Sequence, residues 1–202
     1  MSTITPKGLT RFIVDFCKEI NPNAKPYYIP VKPIQFNEYN ESFSNVERKI
    51  KSNGGTVQYG WAIWEWRNIL IEAEFHAVWK NPEGELICVS PNIYKEYKIL
   101  FLPDDTRIYD GVHKIDSYRK SIRIEPIVDE YIAVKEQFFC EYIAQIGKTE
   151  LSPNLIELAK KDHELRLEVD KLPPLPNRNS VCLCGSNKRY KDCCGSDHEY
   201  IE

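Results

Sequence analysis

Long apolar runs are missing from this chain: none of its 202 residues belongs to a stretch approaching the roughly 18 consecutive apolar residues that span a bilayer. The opening segment MSTITPKGLTRFIVDFCKEI has no apolar h-region and no small-residue cleavage site, so the expected location is cytoplasmic. A dominant charge is lacking as well. Lys and Arg number 27 against 30 Asp and Glu, a formal net charge of −3, which excludes a globally basic nucleic-acid binder and leaves only a local basic patch for such contacts. No glycine-rich phosphate loop is present, because Gly54-Gly55 closes a helical pattern instead of opening one, and nucleotide hydrolysis is disfavoured accordingly. What remains is an ordinary globular recipe, 42% hydrophobic and 12% aromatic, sufficient for one domain with a small appendage. The unusual feature is cysteine: seven in all, four of them between positions 182 and 194.

The chain reads as α+β, an antiparallel sheet flanked by helices. Phe12, Ile13, Phe16, Cys17 and Ile20 recur at helical spacing after Thr5-Pro6, which predicts a helix over 6–20. Residues 21–40 carry Pro22, Pro26, Pro30 and Pro33 and read as an ordered but irregular loop held by Tyr27, Tyr28 and Phe36. A short helix is expected over 42–52, with Phe43, Val46 and Ile50 on one side. From 56 to about 102 the β-branched and aromatic content predicts strands, with Asn81–Gly84 as a hairpin turn. Residues 104–123 are ambiguous. Helices follow over 126–146 and 153–172; the first has Tyr131, Val134, Phe138, Tyr142 and Ile146 on one side, and the second has Leu155, Leu158, Leu165, Val169 and Leu172, interrupted by Asp162. The organisation expected is a body over 1–172, a stiff proline spacer over 173–180 and a separate C-terminal unit over 181–202.

That last unit carries the strongest chemical signal. In VCLCGSNKRYKDCCG, Cys182 and Cys184 flank one residue, eight residues intervene, and Cys193 and Cys194 are adjacent. Two close thiol pairs joined by a glycine-containing loop suit a closed tetrahedral site, and a segment with so few apolar residues needs a metal to fold. The pattern resembles the SEC-C motif, found at the end of the preprotein translocase ATPase SecA and of many bacterial and phage proteins. It is carried by the two spaced cysteines, Gly185-Ser186, Lys188-Arg189-Tyr190-Lys191 and the closing Cys193-Cys194. The resemblance implies Zn²⁺ held by Cys182, Cys184, Cys193 and Cys194, and a basic loop offered to a protein, ribosome or lipid partner. Four thiolates and one Zn²⁺ offset most of the local Lys and Arg, leaving a net charge of about +1 over 177–195, which is a modest patch. A zinc-stapled tail without a partner, two disulfides, and His198 as a replacement or outer ligand are the alternatives at this point.

A second constellation lies in the body. Ser42 begins a helix, His76 sits on a strand, and Cys88 lies on its hairpin partner, an order loosely similar to the papain-like fold of cysteine peptidases and transglutaminases. That resemblance implies a nucleophile at a helix start, an imidazole base and an orienting acid. Here a serine stands where cysteine is expected and Cys88 where aspartate is expected, so the set is either a substituted or inactivated enzyme acting on an amide, ester or thioester, or an accident of order. On the His76 strand, Ile71, Ala73, Phe75, Ala77 and Trp79 alternate with Glu72, Glu74, His76 and Val78; the first set is the expected core face. Without a bulge, His76 faces Pro91 and Cys88 lies on the opposite face; a bulge at the turn brings Cys88 to the face of His76. His76 is alternatively a half-buried residue bonded to a neighbour, or a metal ligand with Glu72 and Glu74. Tyr59, Trp61, Trp64, Trp66 and Trp79 are read as core, with a substrate groove as the alternative, and Cys17 and Cys140 as core.

Overall fold

The computed structural model describes residues 3–34, 39, 41–92 and 95–201. It is α+β, with four helices and an antiparallel six-stranded sheet among the described residues. Helices α1 (Arg11–Ile20), α2 (Ser42–Asn53), α3 (Pro126–Gln145) and α4 (Pro153–Val169) accompany strands β1 (Tyr27–Pro30), β2 (Thr56–Trp66), β3 (Leu70–Lys80), β4 (Leu86–Ile87), β5 (Lys98–Pro103) and β6 (Tyr118–Ser121). The strand order is β1-β5-β2-β3-β4, and β6 pairs with β3. No helix among the described residues is long and apolar enough to cross a membrane.

The chain divides into two compact units. One comprises Ser2–Glu65, Glu72–Tyr118 and His198–Glu202; the other comprises Trp66–Ile71 and Arg119–Asp197.

In the first of these, the sheet curls. β1 pairs with β5 on one side (Tyr28 opposite Leu100), β5 pairs with β2 (Trp61 opposite Leu102), and the chain leaving β4 returns to β1. There Cys88 N–H donates to Pro30 O at 3.0 Å and Lys32 N–H to Cys88 O at 2.9 Å. The curl gives the sheet a concave inside, packed with Ile29, Ala62, Val78, Cys88, Ile99 and Phe101. Its outer face is covered at α2, where Val46 packs on Ala77, Trp79, Ile87 and Val89. Each fully buried aliphatic side chain of this kind contributes roughly 1.5–3 kcal/mol. Both faces of β3 are therefore buried, and the set Glu72, Glu74, His76 and Val78 lines the inside of the curl instead of a solvent face.

Several expectations change. The helix predicted over 6–20 starts at Arg11, because Thr10 is the N-cap, its Oγ1 accepting from Ile13 N–H at 3.2 Å, and Leu9 O is taken by Ile201 N–H at 2.7 Å. The proline-rich loop contains strand β1, since Pro30 stands at the strand's end where its carbonyl still accepts; Phe36, expected to help hold that loop, lies outside the described residues. The hairpin after β3 is bulged. Trp79 pairs with Ile87 and Lys80 with Leu86, leaving a three-residue loop closed at Asn81 and Glu85, with Gly84 at φ 91° supplying the left-handed position. That one-residue shift puts Cys88 on the face of His76. Cys140, expected in the core, is exposed on α3, whereas Cys17 is fully buried.

The second unit is built on an α3–α4 hairpin. Trp66, Ile69 and Leu70 pack with Val128, Tyr131, Ile132 and Val134 of α3 and Leu165 and Val169 of α4. Ser152 caps α4, its Oγ accepting from Leu155 N–H at 3.1 Å, and Asp162, which interrupts the apolar stripe, meets Lys135 Nζ at 3.3 Å. Tyr142 and Ile146, predicted on the buried side of α3, are exposed, because packing with α4 uses the N-terminal half of the helix. The proline segment is tied down: the buried Arg123 guanidinium donates to Pro173 O at 2.6 Å and forms an ion pair with Glu125.

Candidate functional site

Between Ser180 and Gly195 the backbone folds back on itself. Val181 and Arg189 form an antiparallel bridge, Cys182 N–H donates to Lys188 O at 2.8 Å, and Tyr190 N–H donates to Ser180 O at 2.8 Å. Gly185 at φ 80° and Asn187 at φ 58° make the tight reversal after Cys184, a conformation that glycine and asparagine adopt at least cost. A 3₁₀ turn over Tyr190–Asp192 then delivers Cys193 and Cys194 to the same place. Tyr190 is the small hydrophobic centre of this loop. It is buried against Gly195, where an added Cβ would stand 2.5 Å from the ring, so glycine is the residue that fits.

This folding brings the Sγ atoms of Cys182, Cys184, Cys193 and Cys194 within 4.8 Å of one another. Cys184 and Cys193 are 3.4 Å apart, and Cys193 and Cys194 3.9 Å. In a tetrahedral site with metal–sulfur bonds of about 2.3 Å, neighbouring sulfurs stand about 3.8 Å apart, so the donor set fits a four-thiolate centre. The electrostatics fit too. Hydrogen bonds from the Ser186 side chain and backbone, then from Cys182 and Cys193, pull Cys184 down to about 6, while burial and the three neighbouring thiols push Cys194 up to about 12. Four thiols at this density resist losing all their protons without a cation among them. Ser186, which the sequence reading assigned no role, also places its Oγ 3.1 Å from Cys193 Sγ. His198 is engaged elsewhere, its ring edge-on to Phe12 with centroids 5.5 Å apart.

The residues named in the body also meet. Ser42, His76 and Cys88 line one cavity of about 410 Å³, with Glu72, Glu74, Trp64, Ser90 and Asn92. His76 Nε2 and Cys88 Sγ are 3.4 Å apart, the contact that the bulged register makes. Ser42 is held differently: its Oγ accepts from Ala77 N–H at 3.3 Å. Burial lowers His76 to about 4 and raises Cys88 to about 12, with Glu74 adding to the latter. The pair is thus a neutral imidazole and a neutral thiol. Among the described residues, the group of side chains that draws together tightly enough for a metal is the cysteine cluster, and Glu72, Glu74 and His76 do not form a second one. Of the aromatic set, Trp61, Trp66 and Trp79 are core, and Trp64 alone lines the cavity, donating Nε1–H to Glu74 Oε2 at 2.8 Å. Ser90, which no local pattern marked, accepts from Asn45 Nδ2 at 3.0 Å and fixes α2 beside the cavity.

A short C-terminal loop that converges four cysteines in this way defines a metal-ligating knuckle. The segment carries the SEC-C motif, whose family profile matches residues 178–196. Among curated proteins, the chain is similar to a UPF0225 protein of Serratia proteamaculans, 56% identical over 27 residues that cover 13% of this chain and 18% of that protein. It is similar to a UPF0225 protein of Yersinia pestis, 31% identical over 65 residues covering 30% and 42% respectively. It is also similar to the protein translocase subunit SecA of Clostridium tetani, 28% identical over 124 residues covering 50% and 15%. The chain therefore spans less than half the length of these relatives. No solved structure matches it.

Proposed function

We propose that this is a zinc-binding interaction protein, in which the C-terminal module holds Zn²⁺ through Cys182, Cys184, Cys193 and Cys194 and presents its surface to a protein partner. The observation that carries the reading is the convergence of four Sγ atoms within 4.8 Å. Four thiolates leave no open position on zinc, so the ion there is structural: it shapes the loop and performs no chemistry on a substrate. What the loop then offers is mixed. Val181 and Leu183 are exposed at 62% and 65%, beside Arg178, Lys188 and Arg189, a small apolar patch with a positive rim that suits an acidic, partly apolar protein surface. Metal analysis of freshly reduced, chelator-free protein tests the first half: about one equivalent of zinc is expected, and less than about half an equivalent contradicts it. A photo-crosslinking residue at Leu183 tests the second. Capture of a defined protein by zinc-loaded but not zinc-stripped protein is the expected result, and capture indifferent to zinc speaks against it.

A papain-like hydrolase or transferase is the second reading, favoured by the fact that Ser42, His76 and Cys88 line the same cavity. Its chemistry needs a serine whose proton His76 can take. Among the described residues no hydrogen bond joins Ser42 Oγ to the His76 ring; Ser42 Oγ accepts from Ala77 N–H and His76 Nε2 meets Cys88, which weighs against it. Hydrolysis of a small activated ester that disappears in Ser42→Ala would support this reading, and turnover equal in both proteins would remove it.

A further inference from the structure

The cavity in the curled sheet holds carboxylates that neither the zinc loop nor the hydrolytic reading uses. At about 410 Å³ it is in the size range of small-molecule sites. The charged side chains that line it, Glu72 and Glu74, are both carboxylates, and neither lysine nor arginine lines it among the described residues. Glu74 is deep enough that desolvation raises its pKa even though Trp64 Nε1–H donates to one of its oxygens. His76, 8% exposed, has Cys88 as its one hydrogen-bond partner among the described residues. Cys88 Sγ also lies 3.8 Å from Ser90 O, which can take its S–H; in the tautomer where Nε2–H then donates to the sulfur, Nδ1 is an acceptor. Acceptors that face this cavity, with capacity left beyond the Trp64 hydrogen bond, favour a ligand that brings donors. These acceptors do not converge as metal ligands do. They call for a group that is positively charged and carries several N–H bonds, and the Trp64 and Tyr39 side chains in the wall suit the alkyl part attached to it.

We propose that this cavity binds a primary alkylammonium group, with the Glu74 carboxylate as counter-ion, His76 Nδ1 as a second acceptor and Trp64 as the apolar wall. The group arrives either as a free small amine or as a lysine side chain on a peptide. Zinc loading is not required for it.

Calorimetric titration of the full zinc-loaded chain with n-pentylammonium and with Nα-acetyl-lysine methylamide tests this, with n-pentanol and pentanoate as uncharged and anionic controls. At least one ammonium probe should bind at least about tenfold more tightly than pentanol, and pentanoate should be rejected. Binding of n-pentylammonium alone assigns a free amine; binding of the lysine derivative as well assigns a peptide side chain. Glu74→Gln, which keeps an acceptor for Trp64, should weaken the ammonium probe by at least about tenfold and leave pentanol unchanged. If that variant does not fold, nuclear Overhauser contacts between the probe methylenes and the Trp64 indole in the unmodified chain decide the matter. Failure of both ammonium probes to bind, pentanoate binding as well as ammonium, unchanged affinity in folded Glu74→Gln, or absent contacts to Trp64 overturns the proposal.

Discussion

The cysteine loop and the cavity are both clusters of titratable side chains, yet opposite forces assemble them. In the loop the four ligands lie within 13 positions of sequence, Cys184 is exposed, and buried apolar contacts are few, Tyr190 on Gly195 being the principal one. On the proposed reading, a cation that takes the four sulfurs as thiolates and cross-links them supplies what apolar burial does not. In the cavity, the residues come from positions 3 to 117 and are fixed by the curl of the sheet, the bulge at Gly84 and the packing of α2. Burial holds His76 and Cys88 neutral there, so no ion is needed to keep the cluster folded. On this account the first site depends on its metal for its structure. The other is built by the fold itself, and the amine proposed for it is not needed to build it.

The sharpest way to break this contrast is to remove the metal. Structural zinc is worth roughly 10 kcal/mol or more to small modules of this kind, so chelation or Cys182→Ser should abolish amide protection over 178–196. Residues 56–103 should keep theirs, as hydrogen exchange read by mass spectrometry will register. Equal loss in both regions would mean that the two are one cooperative unit.

Next in size is Arg123, whose side chain is buried and bonded to Glu125 and Pro173 O. Arg123→Ala should lower stability by about 3 kcal/mol in urea unfolding, because it strands a carboxylate and a carbonyl. His76 should give an effect of similar or slightly smaller size through pH. Its folded pKa, about 4, lies below the ordinary 6.5, so the unfolded chain takes up a proton first as pH falls. Stability is full above about 6.5 and declines toward pH 4, by up to about 3 kcal/mol. His76→Gln should flatten that part of the pH profile, whereas a ring that titrates near 6.5 by NMR would show that the cavity is wet. The smallest effect is expected from Ser42→Ala, about 1 kcal/mol for the lost acceptor of Ala77 N–H, read from the denaturation midpoint.

The same contrast explains what could be read from the sequence. The cysteine loop was legible because its information is local: spacing, the glycine after Cys184 and the paired thiols sit side by side. The helices over 126–146 and 153–172 were legible from their length and their proline starts, and the long strands from their β-branched and aromatic content. Cys88 joining His76 was not decided, because it depends on one residue of register set by Gly84 in a three-residue loop. Glu72, Glu74 and His76 were read only as the face opposite the expected core, and the closure of β4 onto β1 makes that face an interior as well. Strand β1 was hidden by its prolines, and Cys140 looked apolar because its helix neighbours are, although α4 packs on another part of α3.

The central claim is that four cysteines alone hold a metal at the C-terminus. X-ray absorption at the zinc edge of the purified full chain tests it most directly. The account predicts four sulfur neighbours at about 2.3 Å and nothing closer. A nitrogen or oxygen neighbour at about 2.0 Å in place of one sulfur, as with His198 entering the site, would contradict it, as would protein that carries no zinc at all.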